Sequence, residues 1–446
     1  MSTRVAVDAG AEAVAAIAAS IAAAPLVAFD LEFLAQDRLI PTLCLVQVAW
    51  LDHVALDAPA AAIVAAPPEV RLIDPLAVDV APLVYALAAH RCAIAHAPRQ
   101  DVALLAARFG VAMPSVIDTQ VMAAFAGLGD QVGFAALASE LLGVTLDKEL
   151  QWTDWSARPL SDAQLAYADS DVRHLPAIYA KLAARLGDRL AWARAESAVI
   201  AADAFAAAGV TPESAWRQLG GLRGLDAAAL ARAIALAAWR QQVCVELDRP
   251  LGQVIQDRQI IELARQRSPS AGAVRAIKGL SGYARQRADE IAELLAAARP
   301  GDVPAIAAAR PPSLRAQRWA EILLAIVHLV AERSGVAPRL LATRADAEEF
   351  ARAVDERGLA AAEPLPAMAT WRRELIGQSI QFMREHPDRL GDVMHLTGAL
   401  RNLERLADHA TNIAEDVIFV VHGRIVRHHM QELEDHKSLG SFTTSS

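Results

Sequence analysis

Asp30 and Glu32 stand one residue apart in the apolar run Pro25-Leu-Val-Ala-Phe-Asp-Leu-Glu-Phe33. Alternate side chains of a strand emerge on opposite faces. A strand here lines a core with Val27, Phe29, Leu31 and Phe33 and presents both carboxylates on its other side. Two like charges on one small surface are costly unless a cation holds them, and hard oxygen ligands ordinarily take a divalent metal. The chemistry to expect is that of a metal site carried on a strand.

Two later acidic positions and a tyrosine narrow this reading, and each needs its own element to bring it in. Asp101, in His96-Ala-Pro-Arg-Gln-Asp101, follows a short apolar strand at 92–95 and opens a helical run at 102–109, which puts it at a strand-to-helix junction. Tyr167 and Asp171 lie four apart in an amphipathic stretch at 162–186, so they share one helical face. A strand, a junction and a helix from distant parts of the chain must therefore converge.

The ordered set Asp-x-Glu, then Asp, then Tyr-x-x-x-Asp resembles the tyrosine-bearing subgroup of the DEDD superfamily of 3'-to-5' exonucleases. The text between these motifs resembles ribonuclease D: Leu43-Cys-Leu-Val-Gln47, Ile73-Asp-Pro75, Ile117-Asp-Thr-Gln120, Leu146-Asp-Lys148 and Thr153-Asp-Trp-Ser-Ala-Arg-Pro-Leu160 occur in order. The chain departs from that family in reading Arg38-Leu-Ile-Pro41 where aromatic residues usually precede the proline, so no base-stacking contact is expected there. The resemblance implies an α/β ribonuclease H-like exonuclease domain, a mixed sheet flanked by helices, over 1–205. It also implies two Mg2+ or Mn2+ ions, about 3.5 to 4 Å apart. Asp30, Glu32 and Asp171 would hold the ion on the nucleophile side. Asp30 would bridge to the second ion, which Asp101 would support, and Tyr167 would orient the attacking water. Products would be nucleoside 5'-monophosphates.

Other polar residues in the same segments have ordinary structural readings. Asp74, Asp118 and Asp162 read as turn formers or helix caps. His96 reads as a packing or supporting residue, and Lys148 as a solvated side chain within reach of a phosphate.

Composition bounds the rest. With 446 residues and 54% hydrophobic content, the chain can bury more than one core. Its three cysteines, Cys44, Cys92 and Cys244, do not pair completely and have no CxxC spacing, so no disulfide framework or zinc site follows. The uncharged stretch at 13–29 is alanine-rich, contains Pro25 and runs into the acidic strand, so it reads as a helix followed by that strand and not as a signal or membrane segment. A cytoplasmic protein without a membrane partner or an obligate protein partner is expected. The net charge of -9 is unevenly spread: residues 1–200 hold 13 Lys and Arg against 22 Asp and Glu, whereas residues 212–298 hold 12 against 9. Arg265, Arg267, Arg275, Lys278, Arg285 and Arg287 cluster late in the second segment, as a modest phosphate footprint or as a solvated helical face.

Beyond residue 200 the pattern turns helical. Ala237-Ala-Trp-Arg240, Glu246-Leu-Asp-Arg-Pro250 and Ile277-Lys-Gly279 resemble the helicase-and-RNase-D C-terminal (HRDC) domain, placed at 212–298. A Pro/Gly/Ala linker at 299–312 precedes a second HRDC-like helical domain at 313–381. The all-α part ends in a helical tail at 384–432 that resembles the phosphate-transport regulator PhoU, with Glu404, Asp408, Asn412 and Glu415 on one helical face. Residues 433–446 read as disordered. The resemblance implies an exoribonuclease acting on the 3' ends of tRNA precursors and other structured RNAs. A DNA exonuclease shares the same acids, a PhoU-like regulator would be led by the tail, and a catalytically silent RNA-binding protein would not need the acids and Tyr167 together.

Overall fold

The computed structural model describes residues 7–375, apart from 36, 53, 56–57, 147–152, 223, 268–269, 303–311, 363 and 366–370. The PhoU-like segment at 384–432, residues 433–446, for which disorder is expected from the sequence, and Lys148 lie outside the described residues.

Among the described residues, six strands, β1 (Val7–Asp8), β2 (Val27–Leu34), β3 (Thr42–Trp50), β4 (Glu69–Ile73), β5 (Ala93–Ala95) and β6 (Val116–Asp118), form one mixed sheet in the order β1-β4-β3-β2-β5-β6. β2 and β4 run antiparallel to the central β3, while β5 and β6 continue parallel to β2. Among the described residues, the sheet is accompanied by the helices α1 (Ala11–Ala23), α2 (Ala60–Ala65), α3 (Ala81–Ala89), α4 (Arg99–Phe109), α5 (Thr119–Phe125), α6 (Phe134–Leu142), α7 (Asp162–Arg173), α8 (Leu175–Leu186) and α9 (Leu190–Ala208).

The alternation in β2 works as the sequence suggests through Leu31. Val27, Phe29 and Leu31 join Val46 and Val48 of β3 in the main core, under Val14, Ile17 and Ile21 of α1 and Leu83 and Leu87 of α3. Phe33 is only partly buried against this core, because the register between β2 and β3 slips after Glu32. Glu32 faces Leu45 and Phe33 faces Leu43, so Cys44 is the extra residue of a bulge. Cys44 and Leu45 consequently both turn to the opposite face, where they pack with Leu72, Trp155, Leu160 and Ala168. α7 covers that second face.

The amphipathic stretch expected at 162–186 is two helices, broken at His174. Pro176 is the reason, since it has no N–H to continue the ladder of α7 and instead sits in the first turn of α8. α7 starts at a capping box in which Ser161 and Gln164 satisfy each other's backbone N–H groups. The cap is therefore Ser161, and Asp162 is an exposed first-turn residue. Among the described residues, no helix is long and apolar enough to cross a membrane.

A helical region follows: α10 (Ala227–Leu247), α11 (Leu251–Val254), α12 (Asp257–Ala264), α13 (Ala271–Arg275), α14 (Gly282–Gln286) and α15 (Ala288–Ala297). Leu236, Ile260, Leu263, Val274 and Ile291 form its core. The Arg240 guanidinium, 3% exposed, donates to Asp257 at 2.7 Å and to the Ile255 carbonyl. α10 ends on Asp248 in the left-handed region at φ 50°. Its carboxylate accepts from Arg38 Nε at 2.6 Å and from the Leu39 N–H at 3.1 Å, while Gln253 donates to Asp37. Leu39 packs against the helical core. The departure at Arg38-Leu39 thus serves a contact between the β2–β3 loop and the helical region.

Residues 331–340 belong to the same compact unit as the sheet. The Ala337 N–H donates to the Ala124 carbonyl, Arg189 donates to the Ser334 carbonyl at 2.6 Å, and Arg339 pairs with Asp130. A second unit contains residues 312–330 and the described residues from 341 onward. In it, Ser313 donates to Asp355, Arg344 pairs with Glu321, and Thr343 and Asp346 form a capping box at the start of the helix Arg344–Arg357.

Candidate metal centre and active site

The face of β2 opposite the main core carries Asp30 and Glu32, and α7 crosses it. Carboxylate oxygens of Asp30, Glu32 and Asp171 all lie within 4.8 Å of one another. No described Lys or Arg offsets them. Each acid is accordingly pushed upward in pKa. Burial is the first cause for Asp30, which is raised well above the usual carboxylate range, with the charge of Asp171 adding to it. Glu32 rises to about 9 through burial and then through Asp30, Asp171 and Asp101. Asp171 rises to about 7 through burial. Three partly shielded carboxylates with no cation beside them form a hard-oxygen donor set, which is what Mg2+ or Mn2+ takes.

Asp101 stands in the first turn of α4, which begins at Arg99, three residues before the helical run read from the sequence. It is buried and lies outside the tight trio, yet within its field: burial and then the Asp30 charge raise its pKa. The turn that presents it is fixed by Asp118, the N-cap of α5. Asp118 Oδ1 accepts both the Gln120 N–H, at 2.8 Å, and the Ala97 N–H, at 2.9 Å. Ala97 has φ 52°, a conformation that a non-glycine residue holds only where its surroundings impose it. Asp118 is thus the cap read from the sequence and also the clasp of the turn bearing Asp101.

His96 is a packing residue. Its ring lies 5.6 Å from that of Phe134, and burial holds its pKa down at about 4. His96 Nδ1 and the Thr119 hydroxyl share a 2.9 Å hydrogen bond, and that hydroxyl also lies 3.2 Å from the Ala95 carbonyl.

Tyr167 sits one turn before Asp171 on α7. Its ring centroid is 6.0 Å from that of Trp155, which is 2% exposed. Burial raises the phenol's pKa, with Asp171, Glu32 and Asp30 adding to it in that order, so the hydroxyl keeps its proton at neutral pH. Trp155 is held in turn by Arg158. That guanidinium grips Asp74 through Nε at 2.6 Å and Nη2 at 2.7 Å, and it donates to the carbonyls of Cys44 and Trp155. The Cys44 carbonyl is the one at the β3 bulge. Asp74 also accepts the Leu76 N–H, as the turn former read from the sequence. The anchoring function of Arg158 was not evident from the sequence, although its place in the run Thr153-Asp-Trp-Ser-Ala-Arg-Pro-Leu160 was a signal available there.

Residues 8–187 match the family model described as 3'-5' exonuclease, and residues 229–297 match that of the HRDC domain. Residues 372–417 match the PhoU domain. Together, the mixed sheet, the gathered acids and these matches define the class: a metal-dependent 3'-to-5' exonuclease of the DEDD type joined to an HRDC domain. Ribonuclease D of Acidiphilium cryptum is 36% identical over 381 residues, 82% of this chain and 89% of that protein. Ribonuclease D of Granulibacter bethesdensis is 34% identical over 379 residues, 82% of this chain and 89% of that one. The crystal structure of Escherichia coli RNase D, an exoribonuclease involved in structured RNA processing, superposes with a TM-score of 0.70 at 26% identity, covering 86% of this chain and all of that one. The chain belongs to the ribonuclease D family and is a 3'-to-5' exoribonuclease.

Proposed function

We propose that Asp30, Glu32, Asp101 and Asp171 are the ligands of two divalent cations, Mg2+ or Mn2+, and that Tyr167 completes the catalytic set. The observation that carries this reading is the approach of Asp30, Glu32 and Asp171 to within 4.8 Å, with no Lys or Arg among the described residues paired to them. Bound there, divalent ions supply Lewis-acid polarisation of the scissile phosphate and offset the charge of the departing 3' oxygen. Asp30 belongs to the trio with Glu32 and Asp171 and its charge also reaches Asp101, which suits a bridging carboxylate. Tyr167 keeps its proton, so it orients the attacking water by hydrogen bonding and does not abstract a proton outright. Trp155 and Arg158 keep the phenol over the acids.

The products are nucleoside 5'-monophosphates released stepwise from RNA 3' ends, and the substrates include tRNA precursors. In domain terms, 1–205 is the exonuclease, 212–298 the HRDC domain and 313–381 a second HRDC-like domain. The PhoU-like segment at 384–432 is an appended passenger, and the protein works in the cytoplasm. The test is digestion of 5'-labelled RNA with added Mn2+ or Mg2+ by wild type, Asp30→Ala and Asp171→Ala. Progressive shortening from the 3' end by wild type and near-total loss in both variants are expected. Equal turnover by either variant overturns the ligand assignment.

A further inference from the structure

Gln47 lies in the middle of β3, directly opposite Asp30 of β2 and beside Leu72 of β4. Directly opposed residues of an antiparallel pair project from the same face, with Cβ atoms about 5 Å apart. Gln47 therefore shares the face of Asp30, under α7, where its neighbours Leu45 and Leu72 pack with Ala168. The side chain is 0% exposed, and neither its amide nitrogen nor its amide oxygen has a hydrogen-bond partner among the described residues. Every other position of β3 from Leu43 to Trp50 is a hydrophobic residue, so an apolar side chain would suit the packing of this site. A buried amide with no partner is costly, and a native fold that keeps one calls for an explanation.

We propose that Gln47 is a positioning residue for the metal centre. Its NH2 group donates to the oxygen of the Asp30 carboxylate that faces β3, and so fixes the rotamer in which Asp30 holds metal. The inference rests on the assignment of Asp30 as a ligand. The outer torsion of a glutamine is broad and soft, so the amide turns toward Asp30 without moving the backbone. Its donor group suits an ionised carboxylate, whereas its neighbours along β3, Val46 and Val48, are on the other face. Ligating carboxylates are usually oriented by such an outer hydrogen bond, and losing it costs about 10- to 100-fold in metal affinity.

The experiment uses the full chain and reads Mn2+ affinity by calorimetric titration, beside thermal unfolding in EDTA. Gln47→Met keeps the volume and removes the donor. It is expected to bind Mn2+ about 10- to 100-fold more weakly, to unfold in EDTA at or above the wild-type temperature, and to regain activity as Mn2+ is raised. Leu72→Met, a packing change on the same face, is expected to bind Mn2+ as wild type does. Wild-type Mn2+ affinity in Gln47→Met overturns the proposal. So does failure of both Gln47→Met and Gln47→Leu to fold, which would make the amide a requirement of the fold instead. Asp30→Asn separates the two levels: if it too binds Mn2+ normally, the ligand assignment fails, and if it alone loses binding, only the role of Gln47 does.

Discussion

Arg158 and Asp74, 84 positions apart, form a two-pronged ion pair with N–O distances of 2.6 and 2.7 Å. The same guanidinium reaches the carbonyls of Cys44 and Trp155, so one side chain ties the end of β4, the β3 bulge and the segment carrying Trp155 into a single support for Tyr167. The Asp74 side chain is 9% exposed and that of Arg158 27%, so the pair is shielded enough to matter.

Removing Arg158 leaves the Asp74 carboxylate shielded and unpaired. Arg158→Ala is expected to lower stability by roughly 3 kcal/mol and to reduce turnover, since Trp155 and Tyr167 lose their anchor. Arg158→Lys keeps the charge but not the fork, and should fall between. Denaturant unfolding of the three proteins at pH 7 checks the order. The pair holds the Asp74 pKa below the ordinary value, so its stabilisation is present above about pH 4 and is lost as pH falls through the depressed pKa.

Tyr167→Phe keeps the ring against Trp155 and removes only the hydroxyl. Turnover on RNA should fall by about 10²- to 10⁴-fold, with the unfolding temperature and the Mn2+ affinity close to wild type. A large drop in either would mean that the phenol supports the fold or the metal and not the water.

The acidic trio makes metal-free stability depend on pH. Glu32 and Asp171 have folded-state pKa values raised to about 9 and about 7, above their unfolded values. Their protonated forms are favoured in the folded chain, so no penalty exists below about pH 4. The penalty then grows as pH rises through the window up to about pH 9. In EDTA, the unfolding temperature should therefore decline across that range, and saturating Mn2+ should raise it most at the alkaline end. An equal Mn2+ increment at pH 5 and pH 8.5 would contradict the assignment.

Asp118 should act on the metal through Asp101. Asp118→Ala removes the cap of α5 and the acceptor of the Ala97 N–H. It is expected to cost about 1 to 2 kcal/mol of stability and to weaken Mn2+ binding. Asp118→Asn, which keeps an acceptor oxygen, should recover most of both, as read by denaturant unfolding and calorimetry.

The acids were legible because their spacing encodes geometry: two residues apart on a strand, four apart on a helix. The strand at 92–95 and the helix with its strand at 13–29 were legible from apolar runs and Pro25. What was not legible depends on pairing between distant segments. The bulge at Cys44 is a property of the register between β2 and β3, and neither strand announces it alone. Asp74 read correctly as a turn former, but its guanidinium partner lies 84 residues on. Gln47 sat inside an apolar run as an apparent exception, with no sign that it would face Asp30. The break at His174 is readable from Pro176, which cannot continue a helix begun fourteen residues earlier, at Asp162.

The contact of Asp248 with Arg38 and Leu39 has a mechanical consequence. The loop it grips is the direct continuation of β2, so the strand that bears Asp30 and Glu32 is leashed at its far end to the last turn of α10. Cutting the chain after the exonuclease segment would slacken that leash as well as discard the helical region. An isolated catalytic fragment should therefore show a looser acidic strand, and not simply an untethered enzyme.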